Sequence, residues 1–131
     1  MSRISSVEKG ARKRGHLEEN ESVQAVAIVG HGATVALPDL ATPVSWSRAA
    51  IAATERNLYV MKLGQIGFAG IKDLAFKRPL EHVTLLAGHD MIDIGTAEEG
   101  RLATYKVIPA QSPKKLVEFV AAHSSEECKM V

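Results

Sequence analysis

The sequence predicts a mainly β domain, of the β-rich α+β kind, closed by one C-terminal helix. Three observations carry the prediction. Short runs of alternating or β-branched residues recur and are separated by turn residues. The connections between them are too short for the crossovers of a parallel sheet, which take roughly a dozen residues or more. After Ser112 the hydrophobic period changes from that of a strand to that of a helix.

Residues 1–21 differ in texture from the rest. They hold Arg3, Lys9, Arg12, Lys13 and Arg14, then Glu18, Glu19 and Glu21. Ser5 or Ser6 as a cap, with Glu8 in the first turn, predicts a short helix there. Its apolar stripe is thin (Val7, Ala11, Leu17), and Gly10 and Gly15 weaken it, so the segment reads as a short helix or a partly ordered arm. The main domain is expected over 22–123. Residues 22–29 form the first strand, Gly30 and Gly32 permit a bend into 33–37, and Pro38, Asp39 and Pro43 mark a loop.

The clearest hairpin follows. Residues 46–54 and 58–63 flank Thr54-Glu55-Arg56-Asn57, and Asn57 tolerates the backbone of a tight turn. Ala49, Ile51 and Ala53 share one face, and Trp46, Arg48 and Ala50 the other; Trp46 is expected to anchor the core or cover one open end. A glycine-punctuated loop spans 64–70. Residues 72–78 and 82–87 read as two strands broken by Pro79. After the turn Gly88-His89-Asp90, 91–96 and 101–108 flank a second hairpin turn at 97–100. Ser112 is the expected N-cap of the last helix, with Pro113 at its first position and Leu116, Val117, Phe119, Val120 and His123 at helical spacing. The polar residues 124–131 are expected to be a flexible, frayed tail. The result is about seven antiparallel strands in a bent barrel or sandwich, with the helix plugging one open end.

Composition bounds the function. The chain has 131 residues, 46% apolar and 24% charged, enough for one core and ordinary for a globular domain. A net charge of +1 provides no global field for nucleic acid, so no nucleic-acid partner is expected. Cys128 is the single cysteine, which excludes an intramolecular disulfide and fits a reducing cytosol. No apolar run reaches the roughly 18–20 residues of a membrane span, and residues 1–21 lack the apolar stretch of a secretory signal. A cytoplasmic location is expected, with peripheral membrane contact as the alternative.

Three stretches resemble the bacterial pleckstrin-homology-like domains. Ala53-Thr54-Glu55-Arg56-Asn57-Leu58-Tyr59-Val60 is similar to the T-[DE]-R-x-[LI] turn common in that family. Phe76 to Val83 (FKRPLEHV) is similar to its strand ending in Pro-Leu followed by a Val that re-enters the core, and the Leu116 to Val120 helix is similar to its closing helix. The resemblance covers roughly residues 20–123 and implies a short leading helix, seven antiparallel strands and a capping helix. Its phosphoinositide-binding members carry several Lys and Arg after the first strand. Here 29–40 contains neither, only His31 and Asp39, so the resemblance supports the fold and argues against that ligand.

No catalytic motif stands out. His16, His31, His82, His89 and His123 lack metal-ligand spacing; His89-Asp90 with Asp93 suggests a cation site, but Gly88-His89-Asp90 is also an ordinary turn. The 64–70 loop matches no phosphate-binding fingerprint. No catalytic residue, metal or cofactor is therefore expected, and the reading is a non-catalytic module for protein–protein interaction or scaffolding. The candidate contacts are the basic cluster Lys9, Arg12, Lys13 and Arg14, the apolar loop residues Ile66 and Phe68, and Lys114 and Lys115 in the first turn of the last helix, where the helix dipole disfavours cations. The partner is expected to be another protein. An anionic membrane surface is the alternative, a small-barrel cofactor binder such as a flavin protein is the second, and a homo-oligomer is compatible with each.

Overall fold

The computed structural model describes residues 3–31, 47–63, 70–108 and 112–131. In chain order the elements are α1 (Arg3–Lys13), β1 (Ala25–His31), β2 (Ser47–Ala53), β3 (Asn57–Leu63), β4 (Ile71–Pro79), a 3-10 turn (Leu80–His82), β5 (Val83–Ala87), β6 (Met91–Thr96), β7 (Gly100–Val107), α2 (Lys114–His123) and β8 (Cys128–Met130). Trp46 and the 33–37 continuation lie outside the described residues. The strands form an open sheet in the order β4-β3-β2-β1-β7-β6-β5-β8, antiparallel except for β5 with β8. The mainly β architecture is the one the sequence predicts, although the sheet stays open and a further strand is added to the expected seven.

The sheet behaves as two four-stranded halves joined at one corner. β1 and β7 pair only at Val29↔Val107 and Gly30↔Lys106. α2 lies against both halves on one face. Its Leu116, Val117 and Val120 are buried with Ala27, Ile51 and Val60 of one half and Val83, Leu85, Ile92 and Tyr105 of the other. Each large apolar side chain so buried contributes roughly 1.5–3 kcal/mol, and this shared core closes the corner. α2 starts one residue later than the sequence suggests. Pro113 is its cap, and the Ser112 hydroxyl accepts the Lys114 N–H at 3.3 Å.

α1 covers the opposite face. Val7 and Ala11 pack with Val23, Ile28, Ala50, Ala52, Tyr59 and Met61, alternate positions of the strands whose other residues face α2. This explains the run AAIAA in β2: both faces are covered, so the alternation of a half-exposed strand is lost. α1 begins at Arg3, so Ser5 and Ser6 lie within it and do not cap it. Gly10 sits where a Cβ would come within 2.8 Å of Ile71 Cγ1, which lets the helix approach β4. Past its last residue, Lys13, the chain leaves the helix through Gly15, with φ of 75°. The Gly15 N–H donates to Arg12 O (3.1 Å) and the His16 N–H to Ala11 O (3.0 Å), a Schellman closure.

The polar C-terminal segment is docked and not frayed over 124–130. The Ser124 hydroxyl donates to Val83 O (2.6 Å), the Ser125 N–H donates to Glu81 O (2.9 Å), and Cys128–Met130 pairs in parallel with Leu85–Ala87. The outer edge of β5 has backbone groups to satisfy, and a serine-rich chain satisfies them without needing an apolar stripe.

Candidate binding groove and an internal polar lock

Two groups of polar residues lie at opposite ends of the β1–β2 ladder, which runs from Ala25↔Ala53 to His31↔Ser47. At the first end the turn from Thr54 to Asn57 is closed by Thr54 N–H to Asn57 O at 2.9 Å. The Thr54 hydroxyl oxygen accepts the N–H groups of Arg56 (3.2 Å) and Asn57 (3.0 Å). That same hydroxyl donates to Glu21, whose side chain lies beneath the turn with a relative exposure of only 3%. The Glu21 carboxylate also accepts the Tyr59 hydroxyl, the Asn57 amide (3.0 Å) and the Glu18 N–H (2.9 Å). Burial pushes this carboxyl up, but the bonds from Thr54, Tyr59, Asn57 and the Glu18 N–H outweigh it and hold it down at about 2. Burial, then donation to Glu21, raises the Tyr59 phenol.

The lock continues outward. Lys77 Nζ bonds Glu18 at 2.5 Å and lies 5.4 Å from the Tyr59 ring centroid, and Asn57 donates to Glu18 at 2.9 Å. Arg12 donates to Glu21 O at 2.5 Å and Glu8 accepts the Val23 N–H at 2.6 Å. These bonds fasten the 16–24 segment between α1 and the hairpin. Every donor and acceptor named here is used within the chain, so the arrangement is structural and offers no poised base or nucleophile.

At the other end lies a cavity of about 720 Å³ at the junction of the two half-sheets. Arg48, Gly30 and Lys106 form one row across β2, β1 and β7, since Gly30 pairs with Arg48 on one side and Lys106 on the other. Arg48 and Lys106 are exposed and line the cavity with His89, Asp90 and Ser112. Val107, Ile108, Pro113 and Met130 supply an apolar wall. Such a mixture suits a ligand with both an apolar body and a polar group.

The candidates read from sequence are dispersed. Lys9, Lys13 and Arg14 are exposed on or just beyond α1, and Arg12 is engaged with the backbone of Glu21. Lys114 and Lys115 are exposed at the start of α2, on the opposite face of the sheet from α1 and next to Ser112 and Pro113 of the cavity. The structure therefore does not unite the two basic groups. Ile66 and Phe68 lie outside the described residues. Asp93 accepts the Thr104 hydroxyl at 2.5 Å, and the described residues contain no cluster of three or more candidate metal ligands. His16 bonds Lys72 O (2.7 Å), and His123 stacks on Phe119 with centroids 4.2 Å apart. Cys128 is half-buried, its thiol donating to Val83 O at 3.2 Å and pushed up chiefly by burial.

Sequence reasoning missed Arg48, Gly30, Lys106 and the Glu21 network. Arg48 is the one cation in the apolar run 47–53, a signal that could have drawn attention to it. Its relation to Lys106 depends on a strand pairing with no local mark. No protein-family model matches the chain, and no curated protein matches it. Among the described residues no helix is long and apolar enough to cross a membrane.

Proposed function

We propose that the protein is a non-catalytic binding module, acting in protein–protein interaction or scaffolding, and that its ligand docks in the cavity at the junction of the half-sheets. The observation that carries the reading is the cavity itself, where an apolar wall of Val107, Ile108, Pro113 and Met130 meets exposed polar residues, Arg48 and His89 among them. A pleckstrin-homology-like relationship is part of the proposal. The strand succession and the C-terminal helix over the sheet support it, as does the Thr54–Asn57 turn built around a threonine hydroxyl. The test is affinity capture with the native chain and with Gly30→Leu, which places a side chain on the cavity floor. Partners held by the native chain and lost by the variant support the reading; equal capture by both, or turnover of a small molecule by the pure protein, overturns it.

A second reading is a peripheral membrane module. Lys9, Lys13 and Arg14 are exposed at the C-terminal end of α1, and Ile4 is exposed on the same helix. Each cation near an anionic surface contributes about 1 kcal/mol, so binding would be weak and salt-sensitive. Sedimentation with phosphatidylserine vesicles at low salt decides it, and protein left in the supernatant removes the reading.

A further inference from the structure

We propose that the outer edge of β5 is a strand-acceptor surface, and that an extended segment of a partner protein binds it by displacing the chain's own β8. This surface touches the cavity only through Met130, so strand addition there does not depend on what the cavity binds. The present occupant is held lightly. β8 has three residues and pairs in parallel with Leu85, Leu86 and Ala87, which leaves the first two residues of the five-residue β5 unpaired by it. Over that first stretch, side chains stand in for a strand backbone. Val83 O accepts the Ser124 hydroxyl (2.6 Å) and the Cys128 thiol (3.2 Å), and Glu81 O accepts the Ser125 hydroxyl at 3.0 Å. Backbone bonds of the strand kind begin at Leu85, whose N–H donates to Glu127 O (3.1 Å), and end where the Val131 N–H donates to Ala87 O (2.7 Å).

Apolar burial adds little to these bonds. From Glu127 to Val131 only Cys128 is half-buried, against the core beneath α2, and its four neighbours are exposed. A segment with so few buried contacts opens at small cost, and it uncovers a row of backbone groups when it does. A strand running the full length of β5 would present backbone donors and acceptors to Val83 as well as to Leu85 and Ala87, and so would complete the edge better than the tail does.

The tail also shows what kind of segment fits. The position paired with Leu85 faces the core, where Cys128 sits, and the next position, Lys129 beside Leu86, is exposed. Side chains alternate across a strand, so the fitting segment alternates small apolar with polar residues and has no proline in its paired stretch. α2 contacts β8 as β5 does and forms one wall of the groove. The opposite edge of the sheet is a poorer acceptor. β4 has two register irregularities against β3, carries Lys72, Asp73, Lys77 and Arg78, and ends at Pro79, features that block strand addition. His16 also occupies the Lys72 carbonyl.

The test measures fluorescence anisotropy of two short fluorescein-labelled peptides with the full-length chain. One alternates Thr and Val between terminal lysines, and the other is the same peptide with its backbone N–H groups methylated. The first should bind and the second should not, because strand addition needs the N–H donors. Ser124→Ala combined with Ser125→Ala removes the hydroxyls that hold the tail and should tighten binding about tenfold, with circular dichroism reporting the fold. Hydrogen exchange on the native chain locates the site: with the first peptide bound, the amides of 129–131 should lose protection while that of Leu85 keeps it. If the double variant unfolds, this exchange pattern carries the test. The proposal is overturned if neither chain binds the first peptide, if the methylated peptide binds equally, or if the bound peptide leaves the amides of 129–131 protected. A dimer in sedimentation velocity whose tail amides stay protected, with no peptide bound, would show the edge taken by the tail of a second copy, and the partner-strand inference falls.

Discussion

At one end of the β1–β2 ladder, Glu21 is buried and receives four donors, from Glu18, Thr54, Asn57 and Tyr59. At the other, Arg48 and Lys106 stand exposed on either side of Gly30 at the rim of a cavity. The two regions are built from similarly polar residues and do opposite things. A buried charge is tolerated only when the fold supplies its partners, so the Glu21 end ties its chemistry to stability. Arg48 is exposed, and an exposed charge contributes little to stability. The contrast teaches that burial, more than residue type, separates a structural network from a candidate site.

The comparison is broken if the first region proves dispensable. Glu21→Ala removes the acceptor that four donors share and should lower unfolding free energy by about 2–4 kcal/mol, measured by urea denaturation. Acid should act through the same group. Glu21 is held at about 2 in the fold against an ordinary 4.5. Its contribution is therefore complete above pH 4.5 and fades as pH falls toward 2, a loss of about 3 kcal/mol by linkage. Denaturation curves at pH 6 and pH 3 should differ in the native chain, and Glu21→Ala should remove most of that difference. An equal acid response in the variant would place the sensitivity elsewhere.

Smaller effects sharpen the boundary. Tyr59→Phe removes one donor to the carboxylate while keeping the ring, and should destabilise by about 1–2 kcal/mol in the same assay. Arg48→Ala should change stability by no more than about 0.5 kcal/mol, as exposed substitutions do. A large loss there would show the groove to be part of the structural framework and erase the distinction.

Much of the fold was legible because local patterns report local structure. The Thr54–Asn57 hairpin, the alternation of Ile92 and Ile94, and the buried stripe Leu116, Val117 and Val120 all lie where the sequence places them. The start of α1 was misread because Ser5 and Ser6 look like caps, yet the helix begins at Arg3. The tail was misread because it lacks an apolar period: its strand is held by Ser124 and Ser125 bonding to Val83 and Glu81. Of the cavity, Arg48 and Lys106 became neighbours in one row only through Gly30.

By itself the sequence determined the β-rich class, the C-terminal helix and its buried stripe Leu116, Val117 and Val120, because side-chain period and turn chemistry act over a few neighbouring residues. Tertiary structure alone decided which distant residues meet. Glu21 reaches a turn more than thirty residues away, and the register of β1 with β2 and β7 sets two cations around one glycine. Such pairings are selected by the packing of the whole sheet against its two helices, and no short stretch of chain encodes them.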